Sequence, residues 1–405
     1  MSNEADPATG HSASIASIVA AASGAIGRPL TEPAELAGGH ADTAVLRCAD
    51  AAAGSGHTVV VKAFPPTGEG ASGFAAEAAG LQCATGTGLS PEFLGADASA
   101  LVIVMSDLGG GASLADALLA DCGERHASPG ATRKSAEAVL VDWAAACGRL
   151  SAVVTPLQSR FAALQASYLA GRPDERHSVT LPQRVLAAAA NAARVGVAAP
   201  ADLAAELEEI AGAAVSDEYA VFSPGDLCPD NNVLTTAGVA FFDFEEAGFG
   251  SVFLDAAYIR MPFSTCWCVF RFPPALLAAA EHAYRDHVRL VWPELADDRV
   301  WERGMRRAVT AWTLSSTSWL LRRALAADVP MEPARPSPLT RQLMRYRWQA
   351  TLTDLTGAGE YPAIAALLHA LLGATRHWQA PELPLYPALR TGRAERAGRA
   401  GRAAE

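Results

Sequence analysis

Apolar and polar positions follow two different patterns along the chain. Up to about residue 105 the apolar residues occur in short runs separated by Gly and Pro, which predicts β-strands. The predicted strands are 44–48, 58–64 and 100–105. One helix is predicted among them, near 73–83, because Phe74, Ala78 and Leu81 share one helical face.

After Gly109-Gly110-Gly111 the pattern becomes helical, in long segments rich in Ala and Leu. These segments are 113–121, 132–169, 181–213, 273–292, 299–327, 337–355 and 360–374. A single β-like island, 221–243, interrupts them. This order predicts an α+β fold with two lobes, a small β-rich N-terminal lobe and a larger, mainly helical C-terminal lobe.

The same pattern gives the expected domain boundaries. They are an N-terminal segment 1–29 with a short helix at 12–22, a small lobe 30–108, a helical lobe 109–388 and a tail 389–405. The tail repeats Arg among Ala and Gly and is expected to be disordered.

The composition of the chain excludes some classes of protein function. The chain has 43 acidic and 32 basic residues and a net charge of −11, which argues against a general nucleic-acid binder and would suit a cationic partner. No apolar run is long enough to span a membrane, and no basic residue precedes Arg28 as a signal peptide would require. A cytosolic protein is therefore expected.

Seven cysteines, an odd count spread over a long chain, are expected to be buried reduced thiols. Cys266 and Cys268 flank Trp267, but a zinc site would need a second pair of ligands at a suitable spacing. The segment is therefore predicted to be a packed wall below the active site, and it could also line a substrate cleft.

The island contains the residues that point to chemistry. Thr236-Ala237-Gly238 predicts a three-residue turn, across which Thr235 is expected to pair with Val239. The same register places Asn231 opposite Asp243, so that an amide oxygen and a carboxylate converge, and a β-bulge would shift this pairing by one residue. A few oxygen ligands around one point are what Mg²⁺ requires.

Asp226 lies five residues before Asn231 on a tight loop and brings a third oxygen-bearing side chain to the same point. Each of these residues alone would fit an ordinary turn. Asp243, however, falls within the apolar run 239–244, where a carboxylate is costly unless it is paired or bound to a metal ion. The set therefore predicts a magnesium site.

These motifs resemble those of the aminoglycoside phosphotransferase and choline kinase-like enzymes, which are relatives of protein kinases. The family's catalytic loop, His-Gly-Asp-x-x-x-x-Asn, is matched by Gly225-Asp226 and Asn231, and its Asp-x-Glu motif is matched by Asp243-Phe244-Glu245. Asp255 resembles a later family aspartate that braces the catalytic loop. Pro224 stands where the family usually has His, which puts the geometry of the loop in doubt more than its chemistry.

The resemblance also implies residues that bind ATP. Lys62 matches the strand lysine that grips the phosphates, and Glu77 lies where the ion-pair partner of that lysine belongs. Glu69 is a competing partner in a Gly-rich segment. Gly38-Gly39 occupies the position of the loop that covers the phosphates, although it lacks a full glycine signature.

In relatives the hinge, which Met105 and Asp107 match here, binds adenine through backbone groups. The resemblance then implies one mechanism, in which Asn231 and Asp243 hold Mg²⁺ and Asp226 takes the proton of an acceptor hydroxyl. Glu245 and Asp255 would support the site.

Three functions are compatible with the sequence. The first is transfer of the γ-phosphoryl group of Mg-ATP to a hydroxyl of a small metabolite or antibiotic, with an acceptor that could be cationic. The second is phosphorylation of Ser or Thr in a precursor peptide during the biosynthesis of a modified-peptide natural product, followed by elimination by a partner lyase. The third is an inactive kinase fold that acts as a binding partner. No nucleic-acid or membrane partner is expected.

Overall fold

The computed structural model describes residues 14–36, 43–121, 134–176 and 179–390. The predictions for Gly38, Gly39 and nearly all of the Arg-rich tail lie outside these residues. The chain divides into two units. The first unit contains the chain through Gly109 with 159–176 and 244–246, and the second contains 110–158, 177–243 and the chain from Ala247 onward.

The first unit is built on a five-stranded antiparallel sheet in the order β1-β2-β3-β5-β4. Its strands are β1 (Thr31–Glu35), β2 (Ala44–Ala49), β3 (Thr58–Ala63), β4 (Phe93–Asp97) and β5 (Val102–Ser106). Its helices are α1 (Ile15–Ile26), α2 (Gly68–Ala84) and, from residue 159 onward, α5 (Gln158–Leu169). Lys62 pairs with Val45 on one side and with Ile103 on the other, so it lies on the central strand.

Alternating apolar side chains give this sheet a core on one face. Leu46, Val61 and Val104 are fully buried there and pack with Ile18 and Ala22 of α1. Burying an aliphatic side chain of this size contributes about 1.5–3 kcal/mol, which is why α1 packs against the sheet.

The two edge strands were not predicted from the sequence. All five residues of β1 are exposed and Pro33 interrupts its ladder, so no apolar alternation marks it. β4 is half-buried throughout and contains Gly95. Both positions suit edge strands, which pair on one side only.

The second unit is mainly helical, with two short β-ribbons, which confirms the predicted α+β class. Its helices are α3 (Leu114–Leu119), α4 (Ala136–Val154), α6 (Leu181–Leu186), α7 (Ala188–Ala193), α8 (Leu203–Ala213), α9 (Val252–Arg260), α10 (Pro274–Val288), α11 (Asp298–Ala326), α12 (Thr340–Ala358) and α13 (Pro362–Ala374). Its strands are β6 (Ala220–Ser223), β7 (Asn232–Thr235), β8 (Gly238–Phe241) and β9 (Gly248–Ser251), paired as β6–β9 and β7–β8. A large apolar cluster from α6 to α13 forms the core.

One helical stretch among the described residues, Ala136–Leu169, is long and apolar enough to cross a bilayer on length and composition alone. Its most apolar window is 56% buried inside the protein. Such burial is typical of a helix in the core of a globular domain.

The β7–β8 hairpin corrects the predicted register by one residue. Thr235 pairs with Gly238 rather than with Val239, and the turn contains only Thr236 and Ala237. The Thr235 hydroxyl accepts from the Ala237 N–H at 3.2 Å and donates to the Gly238 carbonyl at 2.9 Å, which closes the shorter turn. The register prediction was therefore wrong because it omitted this side-chain contact.

The new register changes the partner of Asn231. Its carbonyl accepts from the Phe242 N–H at 3.2 Å, so Asn231 faces Phe242 and not Asp243. Asp243 follows with φ of 67°, a left-handed conformation that turns the chain out of the strand direction.

The cysteines also depart from the prediction. Cys228 and Cys266 form a disulfide bond, whereas both were expected to be reduced thiols. Among the described residues Cys48, Cys83, Cys147 and Cys268 are free and buried. An odd count does not exclude one bonded pair, and the sequence does not show which two residues meet in space.

Candidate active site

In the first unit the site is organised around a buried lysine. Lys62 Nζ lies 2.6 Å from Glu77 Oε2 and 3.0 Å from Glu245 Oε2, and its side chain is 9% exposed. The Phe64 ring centroid lies 4.9 Å from the same nitrogen. The cation is thus fixed by two carboxylates, and Glu77, not Glu69, is its partner on α2.

The carboxylate of Asp107, a predicted hinge residue, forms several hydrogen bonds within the first unit. Its carboxylate accepts from Arg47 Nε and from the Thr58 hydroxyl, both at 2.6 Å, and from the Gly109 N–H at 2.8 Å. Burial favours a higher pKa for Asp107, but these bonds outweigh it and lower the pKa. Met105 is buried on β5, where it pairs with Val60 of β3 on one side and with Phe93 of β4 on the other.

In the second unit Asp226 lies on the loop between β6 and β7. Gly225 before it has φ of 93°, which glycine adopts without strain. One Asp226 carboxylate oxygen accepts from the Cys228 N–H at 3.2 Å. The Asn231 side chain donates to the Asp226 carbonyl at 3.3 Å, which holds the two ends of the loop together.

The negative charge of Asp243 acts on the carboxyl group of Asp226. Burial raises the pKa of Asp226 to about 6, and the negative charges of Asp243 and Asp230 add to the increase. Two carboxylates and one amide oxygen in this region are the donor set that a hard divalent cation needs, and a cation would relieve their repulsion. The residues of the second unit therefore fit Mg²⁺.

Two hydrogen bonds of Ser223 connect Asp255 to the loop that contains Pro224. The Ser223 hydroxyl donates to Asp255 Oδ1 at 2.9 Å and accepts from the Gly225 N–H at 3.0 Å. Asp255 is thereby linked to the backbone beside Asp226. Burial raises the pKa of Asp255 to about 7, and the bond from Ser223 limits that rise.

Three further features that position the loop were not predicted. Asn232, which is 1% exposed, accepts from the Leu114 N–H at 3.0 Å and donates to the Pro229 carbonyl at 2.9 Å, so it ties the loop to the start of α3. The disulfide ties it to Cys266. Trp267 donates from its indole nitrogen to Asp230 Oδ2 at 2.9 Å. The only sequence signal for the role of Asn232 was its position next to Asn231 in the loop.

Comparisons with known proteins give a family and a set of distant structures. No curated protein matches the chain in sequence. A choline kinase from Cryptosporidium parvum Iowa II is similar at 12% identity, over 83% of this chain and 93% of that one, with a TM-score of 0.46. A choline/ethanolamine kinase family protein from Mesorhizobium loti is 16% identical over 84% of this chain and 92% of that one, with a TM-score of 0.41.

A third structure, amicoumacin kinase hAmiN in complex with AMP-PNP, Ca²⁺ and Ami, is 12% identical over 79% of this chain and 87% of that one, with a TM-score of 0.44. A sequence profile of the phosphotransferase enzyme family matches residues 34–299, which is more than half of the chain and spans the site residues from Lys62 to Asp255. The resemblance seen in the sequence is confirmed, and the chain belongs to the phosphotransferase enzyme family.

Proposed function

We propose that this phosphotransferase moves the γ-phosphoryl group of Mg-ATP to a hydroxyl group of a small metabolite or antibiotic. The buried Lys62–Glu77 ion pair is the observation that carries the proposal. Taking both charges out of water costs free energy, and binding of the ATP phosphates by the lysine would give the pair a function.

The first unit would hold the nucleotide. Lys62 would bind the α- and β-phosphates, and Glu77 would keep its ammonium group oriented. The backbone at Met105 to Asp107 would bind adenine, while the Asp107 side chain braces the hinge through Arg47 and Thr58. Gly38 and Gly39 would cover the phosphates.

The second unit would supply the metal ligands and the base. Asn231 and Asp243 would hold Mg²⁺, which, when bound, neutralises charge on the transferring phosphoryl group. Asp226 would accept the proton of the acceptor hydroxyl as the hydroxyl oxygen bonds to the γ-phosphorus and the bond from that phosphorus to the bridging oxygen breaks, releasing ADP. With a pKa of about 6, Asp226 is mostly ionised at neutral pH and able to take that proton.

We expect an acceptor that carries a positive charge. Asp230 lies near enough to Asp226 to raise its pKa, and it is only half-buried. Trp267 orients this carboxylate from one side. A cation bound there would gain electrostatic energy and bring a neighbouring hydroxyl toward Asp226.

Two measurements test the proposal. Thermal unfolding with ATP should show stabilisation that requires Mg²⁺, because a ligand that binds only the folded state raises its stability by about 2.7 kcal/mol at a hundred times Kd. Mass spectrometry should then detect phosphoryl addition to amine-bearing alcohols such as choline or an aminoglycoside. Addition to Ser or Thr peptides alone would favour the peptide kinase, and no stabilisation at saturating Mg-ATP would favour the inactive fold.

A further inference from the structure

Arg176 is an arginine of the first unit to which the sequence gives no role. Its side chain is 11% exposed and forms a fork on Asp174, with Nη2 2.7 Å from Oδ2 and Nε 3.1 Å from Oδ1. The remaining nitrogen, Nη1, donates to the backbone carbonyl of Glu245 at 3.4 Å. One side chain therefore connects the segment after α5 to the Asp-x-Glu motif.

The segment that presents Arg176 is itself fixed on α2. The Glu175 N–H donates to the Ser72 hydroxyl at 2.8 Å. The Glu175 carboxylate lies so close to α2 that a Cβ placed on Gly68 would be 1.9 Å from its Oε2. Just before the segment, the Tyr168 hydroxyl of α5 accepts from the Gln82 side chain of α2 at 2.6 Å. These contacts fix the position of the segment that contains Arg176 relative to α2.

Glu245 is positioned from three directions. Arg176 binds its carbonyl, Lys62 binds its carboxylate at 3.0 Å, and its Cβ would be 3.5 Å from a Cβ on Gly73 of α2. The Arg176 contact is made to the backbone, whereas the other two involve the side chain. Loss of the Arg176 bond would therefore weaken the restraint on the peptide bond between Glu245 and Glu246.

We propose that Arg176 is a positioning residue of the phosphotransfer site, which holds the Glu245 backbone so that its carboxylate stays aligned with Lys62. The proposal rests on the proposed function, because it assigns Arg176 to the same nucleotide and metal machinery. Arg176 acts through Glu245 and does not contact the reacting atoms.

The test compares Arg176→Gln with Arg172→Gln. Arg172 lies in the same segment, is exposed and carries the same charge, so its variant is a matched control. Isothermal titration with MnCl₂ and AMP-PNP measures binding without turnover. Arg176→Gln should weaken binding by roughly 10- to 100-fold, the usual range when an outer residue that orients a binding site is lost. Arg172→Gln should stay within about twofold.

A double-mutant cycle separates positioning from general stability. If Arg176 acts through Glu245, the Arg176→Gln/Glu245→Gln double variant should bind no more weakly than Glu245→Gln alone. Additive losses would overturn the proposal, as would equal behaviour of Arg176→Gln and Arg172→Gln. If Arg176→Gln does not fold, Arg176→Lys, which keeps the charge and one donor, replaces it in the same cycle.

Hydrogen exchange keeps this inference separate from the proposed function. If the wild-type chain binds no nucleotide, the proposed function fails, and the Arg176 contact can still be measured. Amides of 244–247 should exchange faster in Arg176→Gln than in Arg172→Gln, with exchange in β3 unchanged. Equal exchange in the two variants would show that Arg176 does not hold Glu245.

Discussion

Cys228 and Cys266 are 38 residues apart in sequence and joined by a disulfide bond in the second unit. Both sulfurs and one carboxylate oxygen of Asp226 lie within 4.8 Å of one another. The bond therefore anchors the loop beside the candidate base.

We expect Cys228→Ser/Cys266→Ser to lower the free energy of unfolding by up to about 4 kcal/mol, from the loop-closure entropy of 38 residues. Urea denaturation measures the change. A reductant should destabilise the wild type and leave the double variant unaffected. Equal stability of oxidised wild type and double variant would contradict the prediction.

Asp226→Asn is expected to reduce kcat by roughly 10²–10⁴-fold, because an amide of the same shape cannot accept the proton. Its carbonyl oxygen can still accept from the Cys228 N–H, so folding should survive. Steady-state turnover measures the loss of kcat, and circular dichroism shows whether the variant folds. Asp121→Asn, on an exposed residue, is the control, and wild-type turnover in Asp226→Asn would exclude Asp226 as the base.

Glu77→Gln should lower kcat/KM for ATP by about 10²-fold, since Lys62 would lose the carboxylate that lies 2.6 Å from its Nζ and could shift by about an ångström. Steady-state kinetics with varied ATP measures the effect. Glu69→Gln is the matched control, because Glu69 is an exposed acid on the same helix. A larger effect from Glu69→Gln would reverse the assignment of the lysine's partner.

Asp255 should make stability depend on pH. Its pKa rises from 3.8 to about 7 in the folded state, so its ionised form is disfavoured there. Stability contributed by the protonated group is therefore lost as the pH rises from about 4 to 7, and the loss reaches on the order of 4 kcal/mol above pH 7.

Asp255→Asn removes this dependence and keeps an oxygen for the Ser223 hydroxyl. The variant should be more stable than the wild type at pH 8, and the difference should shrink at pH 5. Thermal unfolding at both pH values measures it. A difference that grows toward pH 5 would contradict the assigned pKa.

Arg347 on α12 carries a buried charge at a cost to stability. It is 1% exposed, and none of its three guanidinium nitrogens has a hydrogen-bond partner among the described residues. Burial lowers its pKa from 12.5 to about 10, which corresponds to a cost on the order of 3 kcal/mol at neutral pH. Arg347→Met should therefore unfold at a higher temperature than the wild type.

Arg345→Met provides the contrast on the same helix. Arg345 donates to the Leu372 carbonyl at 2.8 Å and to the Thr375 hydroxyl at 2.7 Å, so its removal should lower the unfolding temperature. A lower unfolding temperature in both variants would show that Arg347 has a stabilising partner.

Strands and helices with a strong apolar pattern were predictable from the sequence. Features whose geometry depends on individual side-chain contacts were not. β3 and β5 are short apolar runs bounded by turn residues, and the distance along the chain from Lys62 to Glu77 placed these two residues on a strand and the following helix. β1 carries no buried residue, so nothing in its pattern marks it.

At the site, the residue types were readable and their geometry was not. Asp226, Asn231 and Asp243 stand out through spacing, and their roles stay a prediction until turnover is measured. The hairpin register differs by one residue from the predicted one, and the Thr235 hydroxyl contacts that accompany it leave no trace in the hydrophobic pattern. Arg176 and Glu245 are distant in sequence, so only the folded chain reveals their contact.

The left-handed backbone at residue 243 limits what evolution or an experimenter can place there. Among side chains with a Cβ, Asn and Asp tolerate φ of 67° best, and only Asp adds a negative charge. The backbone conformation at residue 243 and the need for a negative charge there thus favour the same amino acid, Asp. Asn at this position would leave the bend intact while removing the charge, so Asp243→Asn, unlike Asp243→Ala, separates loss of electrostatics from loss of conformation.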